Sequence, residues 1–285
     1  MSERLFSFRW DIDHRACITD GLPRIRALCR ELGVRHSFFV NLGRSTNLRE
    51  WLRGLSRTRE KLADADAIHL IAKIGLGRFA LETLLARPVG ARFLPELRAL
   101  RDEGHELGLH GGMDHVVWSR RFPELSREWL RAELTRALAL FRAELGAPAG
   151  FASPGFRSDE RVLELLAELS FRYCGDAIGG EPRPARAGAR ALPLALVPVT
   201  LIGARTVPWL EWHAARRTPE DRVLAELDLH LAEREVVVLY GHPCYEGVRI
   251  GMLRRVLQRV QERGFRSVSH AELCEKRAAE AGSAA

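Results

Sequence analysis

No stretch of this chain is long and uncharged enough to span a bilayer. Its first residues, from Met1 to Phe6, lack the basic region, apolar region and cleavage site of a secretory signal. Together these absences predict a cytoplasmic protein. The five cysteines, Cys17, Cys29, Cys174, Cys244 and Cys274, are odd in number and scattered, and none forms C-x-x-C. That argues against a disulfide framework and against a cysteine-based zinc knot, and leaves them as small buried residues. Lysine is scarce, for nearly all of the 44 basic residues are arginine. A nucleic-acid recognition motif and a basic stripe interleaved with aromatics are missing as well, so no nucleic acid is expected as a partner. The net charge of +7 points to phosphate groups or an acidic membrane surface, although a genomic bias toward arginine gives the same composition.

What remains is an ordinary globular composition, 46% hydrophobic and 28% charged over 285 residues. It suits one large domain or two small ones. Apolar strands alternate with amphipathic helices. Leu22, Ile25, Leu28 and Leu32 form a helical stripe between Pro23 and Gly33, and Ser126 caps a long stripe running from Trp129 to Leu145. Strands are predicted at 36–40, 106–110, 150–153, 173–176, 196–199 and, most clearly, 236–240. Ser269 and Glu272 make a capping box for a last helix. This rhythm predicts parallel strands with helical crossovers, in a barrel or a doubly wound sheet. We expect one domain over 1–276 and a flexible tail over 277–285.

One segment breaks the rhythm. Residues 41–92 carry an apolar stripe of Leu48, Trp51, Leu52 and Leu55 among Arg44, Arg49, Arg53, Arg57 and Arg59. A second apolar run, 67–86, is interrupted by His69, Lys73, Arg78 and Glu82. This inserted amphipathic segment could lie on an anionic membrane surface, or be a helical cap packed on the domain.

The first strand, Phe6 to Asp13, ends in two carboxylates, Asp11 and Asp13. Residues two apart on a strand share a face, so both could enter one site, where a cation would relieve their repulsion. Taken alone, the pair equally describes two solvated carboxylates opening a turn. Other strand ends add His110, Asp176 and His242, and parallel folds gather chemistry at those ends.

These motifs resemble the polysaccharide deacetylase family, also called NodB-homology or carbohydrate esterase family 4. The resemblance rests on Asp11-Ile12-Asp13, then His110 with His115, then His242, in that order along most of the chain. The sequence is further similar to one branch, the deformylases of 4-deoxy-4-formamido-L-arabinose phosphoundecaprenol. The similar stretches are Arg9-Trp10-Asp11-Ile12-Asp13, Gly21 to Arg24, Gly108 to His110, Asp114-His115, Gly155 to Asp159, Arg172-Tyr173 with Asp176, Val197 to Leu201, and His242 with Glu246-Gly247. The family implies an α/β fold, a distorted (β/α) barrel, here with a helical insertion after the second strand. It implies one divalent metal held by Asp13, His110 and His115, with zinc first and manganese or another divalent ion compatible. Asp11 would be the general base and His242 the general acid. Asp176 would orient His242, and Arg157 would contact Asp11 or a substrate phosphate.

Two departures from the family pattern stand out. The family's histidines are four residues apart, whereas here they are five apart and Asp114 holds the usual position. In a regular helix Asp114 would be the ligand, but Gly111-Gly112 permits an irregular loop that absorbs the extra residue, which favours His115. The usual Arg-Pro-Pro-Tyr-like stretch is replaced by Ala152 to Phe156, and the arginine comes later, as Arg157. The expected function is metal-dependent removal of a formyl or acetyl group from an amino sugar linked to a polyprenyl phosphate. A deacetylase of a soluble oligosaccharide or of another lipid-linked sugar is the alternative, and a membrane- or nucleic-acid-binding protein with a decayed site is a second. A cytoplasmic protein peripheral to the inner face of the membrane is the matching location.

Overall fold

The computed structural model describes residues 3–46, 48–50, 52, 75–85 and 87–283. Trp51, Leu55, Arg53, Arg57, Arg59, His69 and Lys73, all named above in the insertion, lie outside the described residues.

The strands are β1 (Leu5–Ile12), β2 (Ser37–Val40), β3 (Glu106–His110), β4 (Gly150–Ala152), β5 (Tyr173–Cys174), β6 (Arg183–Ala187), β7 (Arg190–Leu196), β8 (Val236–Gly241) and β9 (Arg266–Ser267). They form one curled sheet in the order β6-β7-β5-β4-β3-β2-β1-β8, with β9 paired to the start of β1. Every pairing is parallel except the β6–β7 hairpin. This is the distorted (β/α) barrel of the NodB-homology type.

The helices are α1 (Leu22–Leu32), α2 (Leu76–Leu85), α3 (Leu94–Asp102), α4 (His115–Arg121), α5 (Arg127–Leu145), α6 (Glu160–Glu168), α7 (Trp209–Ala215), α8 (Glu220–Glu233), α9 (Pro243–Glu246), α10 (Ile250–Glu262) and α11 (His270–Ser283). Their boundaries have local causes. Gly33 closes α1 at a φ of 66°, and the hydroxyl of Ser126 accepts from Trp129 N–H at 3.2 Å to open α5. Asp159 caps α6 by accepting from Arg161 and Val162 N–H.

Three local expectations change. The strand predicted at 196–199 lies earlier, as β7, because Gly188 at a φ of 55° turns the chain back from β6. The alternating pattern from Ala191 to Leu196 marks that strand, while Val199 makes an isolated bridge to Ile178. The capping box at Ser269 is half made: Ser269 accepts from Glu272 N–H, but the Glu272 carboxylate turns to Arg266. The last helix continues past Lys276 to Ser283, through a run rich in alanine, a strong helix former.

Strand β1 is buried along all eight residues, so its alternation does not separate core from solvent. Phe6, Phe8, Trp10 and Ile12 pack outward against the helices, in the large core cluster. Leu5 joins the second cluster, with Val236, Val238 and Tyr173, inside the curl of the sheet. By the strand period, Ser7, Arg9 and Asp11 face that same interior. The barrel therefore carries a polar column along β1 that leads to the C-terminal end of the sheet.

Candidate functional site

Parallel pairing puts the ends of β1, β2, β3, β4, β5 and β8 on one side, and the chain's chemistry gathers there. Asp13 Oδ1 lies 2.9 Å from His110 Nε2 and 3.3 Å from His115 Nε2. One ligand atom from each of the three side chains lies within 4.8 Å of the others, making the metal-ligand group found among the described residues. Asp13 Oδ1 and His115 Nε2 are buried with no hydrogen-bond partner. Buried polar atoms left unmatched carry a cost. A carboxylate and two imidazoles that leave donor atoms facing one point fit a divalent cation.

The extra residue between the histidines is taken up in the loop. Gly111 adopts a φ of 68°, a left-handed conformation that favours glycine. Asp114 then caps α4, accepting from Val117 N–H at 3.3 Å, and pairs with Arg44 at 2.7 Å. Its own N–H goes to Glu133, 2.7 Å away and buried. His115 is thereby the first residue of α4, held by its N–H to the Arg44 carbonyl at 3.1 Å, with its ring turned to Asp13.

The charges in this cluster are strongly interdependent. Burial would raise the Asp13 pKa, but His115 and His110 hold it well below the usual carboxylate range. Burial would lower the His110 pKa, but Asp11 and Asp13 raise it. Burial lowers the His115 pKa, and Asp13 offsets this only in part.

Asp11 is gripped from its own strand. Arg9 donates through Nε to Oδ1 and through Nη2 to Oδ2, both at 2.7 Å, in a bidentate pair. A third donor, Nη1, reaches Gly175 O at 2.5 Å and stands 3.7 Å from Asp176 Oδ1. The guanidinium is fully buried and lies 4.5 Å from the centre of the Phe156 ring. Burial would lower its pKa, yet Asp11 and Asp176 together raise it, so Arg9 is a fixed cation.

His242 follows β8. Its Nδ1 hydrogen-bonds to Glu211 Oε1, its backbone N–H gives to Glu246 at 2.9 Å, and its Nε2 stands 3.4 Å from Asp13 Oδ2. A close backbone approach fixes this side of the site. A Cβ on Gly21 would fall 1.8 Å from Pro243 O, so glycine is needed where the turn after β1 meets the turn after β8.

The geometry gives two of the expected contacts to other residues. Arg157 is exposed, and it contributes its backbone carbonyl to Trp118 Nε1 at 2.9 Å; the arginine on Asp11 is Arg9. The carboxylate on the His242 ring is Glu211, while Asp176 accepts from Ser153 N–H at 2.8 Å and faces Arg9. Arg9 was already inside a quoted motif, but on an alternating strand beside Trp10 it reads as a polar position on the face away from the core. Glu211 gave no signal, because it lies on α7, far in sequence from every other site residue. His14 is also buried, with Nδ1 3.5 Å from Glu82 Oε2, so α2 of the insertion reaches the edge of the site. Trp209 is core, and Tyr245 is buried beneath Arg249.

The comparisons with known proteins bear on the fold. A chain from Mycobacterium smegmatis described as a polysaccharide deacetylase superposes with a TM-score of 0.66 at 15% identity, over 98% of this chain and 92% of that one. The fold is that of the polysaccharide deacetylase, or NodB-homology, superfamily. It is similar to the formamido-arabinose-phosphoundecaprenol deformylase named for Shewanella sediminis, at 25% identity over 175 residues. That match covers 60% of this chain and spans 56% of the relative's length. No family model matches the sequence. The fold alone does not establish an activity, since a Bacillus anthracis chain described as a carbohydrate esterase family 4 pseudoenzyme superposes with a TM-score of 0.54 at 13% identity, over 96% of this chain and 66% of that one.

Proposed function

We propose that this protein hydrolyses the formamide or acetamide of an amino sugar carried on a polyprenyl phosphate, using one divalent metal ion. The observation that carries the proposal is the convergence of Asp13, His110 and His115, with Asp11 and His242 beside them. The similarity to a deformylase named for a lipid-linked formamido sugar supports the substrate class.

Asp13, His110 and His115 would hold the ion, zinc or another divalent metal. Bound there, it would supply a Lewis acid for the amide carbonyl and acidify the attacking water. Asp11, oriented by the two Arg9 hydrogen bonds, takes the proton from that water. Attack forms the carbon–oxygen bond, and the carbon–nitrogen bond then breaks. His242 gives its Nε2 proton to the departing amine, while Glu211 accepts the Nδ1 hydrogen and stabilises the charged ring. The products are a free amino sugar and formate or acetate.

The reading places the protein on the inner face of the membrane, as one domain with the 41–92 segment near lipid. Among the described residues no helix is long and apolar enough to cross a membrane. The deciding experiment is amine release from an N-formyl and an N-acetyl amino-sugar phospholipid. Activity should vanish in a chelator, return with metal, and be absent in Asp11→Asn. Full turnover by metal-stripped protein would overturn the reading.

A further inference from the structure

A groove of about 470 Å³ lies beside the His242 turn and is lined mainly by apolar side chains. Leu210, Val223, Val248, Ile250, Met252 and Leu253 form its walls. Val248 is 49% exposed at its surface, a large fraction for valine in a chain whose core is otherwise well covered. Arg249 stands at the groove, its guanidinium 3.9 Å from the centre of the Tyr245 ring and one Nη1 donating to Tyr245 O at 3.3 Å.

The groove is built from the same two elements that hold His242. Leu210 and His213 come from α7, whose Glu211 holds the imidazole. Tyr245 and Glu246 come from α9, and Glu246 accepts the His242 backbone N–H. Amide hydrolysis gives this position a meaning. The acyl carbon must meet the attacking water, and the amine must leave toward the general acid. In an acylated amino sugar the sugar is the amine. It therefore sits on the His242 side, and whatever the sugar carries extends past His242 toward this groove.

We propose that the groove binds the hydrocarbon chain of the substrate's carrier lipid, with Arg249 contacting the phosphate that joins chain and sugar. This rests on the deacylase reading and deepens it. An apolar channel removes the chain from water, and a guanidinium supported by an aromatic face suits a phosphate oxygen. A soluble oligosaccharide would instead require polar partners along these walls.

The test separates binding from turnover. Farnesyl monophosphate, below its micelle-forming concentration, and inorganic phosphate are titrated separately into the full chain and into Val248→Asp. Turnover of a water-soluble N-formyl amino sugar is measured in parallel. We expect farnesyl monophosphate to bind at least roughly tenfold more tightly than inorganic phosphate. Val248→Asp should remove most of that advantage and leave turnover of the soluble sugar unchanged. Equal binding of the two probes, or farnesyl binding untouched by Val248→Asp, overturns the proposal. The expected binding pattern in a chain that releases no amine would leave the groove assigned and overturn the deacylase reading instead.

Discussion

Arg9 and Asp11 stand two residues apart on one strand, and their side chains meet inside the barrel in a bidentate pair with both bonds at 2.7 Å. The strand period puts both on the interior face, and the curl of the sheet buries the pair. The carboxylate proposed as the base is thus oriented by its own strand.

Replacing Arg9 should therefore harm both chemistry and stability. Arg9→Met leaves the Asp11 charge buried without its partner, a change that costs about 3–5 kcal/mol in comparable buried pairs. Arg9→Lys keeps the charge but has no planar fork for both oxygens. We expect kcat to fall by roughly 10²-fold or more in both variants, in keeping with the loss of an oriented base. Steady-state kinetics on folded protein, with a urea midpoint for each variant, checks this. Wild-type kcat in Arg9→Met would sink it.

The five-residue spacing yields a test that separates two neighbours. His115→Ala should abolish stoichiometric metal binding. Asp114→Ala should keep the metal and lose about 1 kcal/mol of stability, the usual cost of a lost helix cap. Metal content by elemental analysis and denaturant midpoints read the two effects apart. Metal loss in Asp114→Ala with retention in His115→Ala would reverse the assignment.

His242 and Glu211 act as a pair. His242→Ala should lower kcat by about 10²–10⁴-fold, the range of general acid catalysis. The loss should shrink for an acyl anilide, whose better leaving group needs less protonation. Glu211→Gln should follow the same leaving-group trend with a smaller loss, while Arg157→Ala should change kcat little, since its side chain is exposed. An equal loss on both substrates in His242→Ala would remove it from the acid role.

Three histidines away from the site predict acid lability. Burial pushes His36 and His270 down to about 3 and His105 down to about 4. Their folded pKa values lie below the unfolded one, near 6.5. The unfolded chain then binds more protons, so their contribution to stability is full above pH 6.5 and is lost as pH falls toward 4. Between pH 7 and 5.5 each should cost about 1 kcal/mol, or about 3–4 kcal/mol for the three. Urea midpoints across this range measure it, and His36→Gln should flatten the slope. A slope unchanged in that variant would count against the assignment.

Much of the framework is written locally in the sequence. The alternating strand and helix patterns locate most elements, because burial on one face imposes a period that can be read along the chain. The order of Asp11, Asp13, His110, His115 and His242 at strand ends is equally local, and parallel pairing then brings those ends together. Gly111 in a left-handed turn even explains the irregular histidine spacing.

The partners of those residues belong to tertiary structure. Arg9 reads as a polar position on a half-exposed strand, and only the closed interior turns it into a buried cation beneath Asp11. Glu211 meets His242 across 31 residues, through a helix that no spacing rule connects to β8. Asp176, by contrast, sits at a strand end as expected but faces Arg9 instead of His242. The sequence by itself determined which candidate groups stand at which strand ends. Tertiary structure alone decided which charge holds which, because that depends on side chains meeting in a space that periodicity along one strand does not describe.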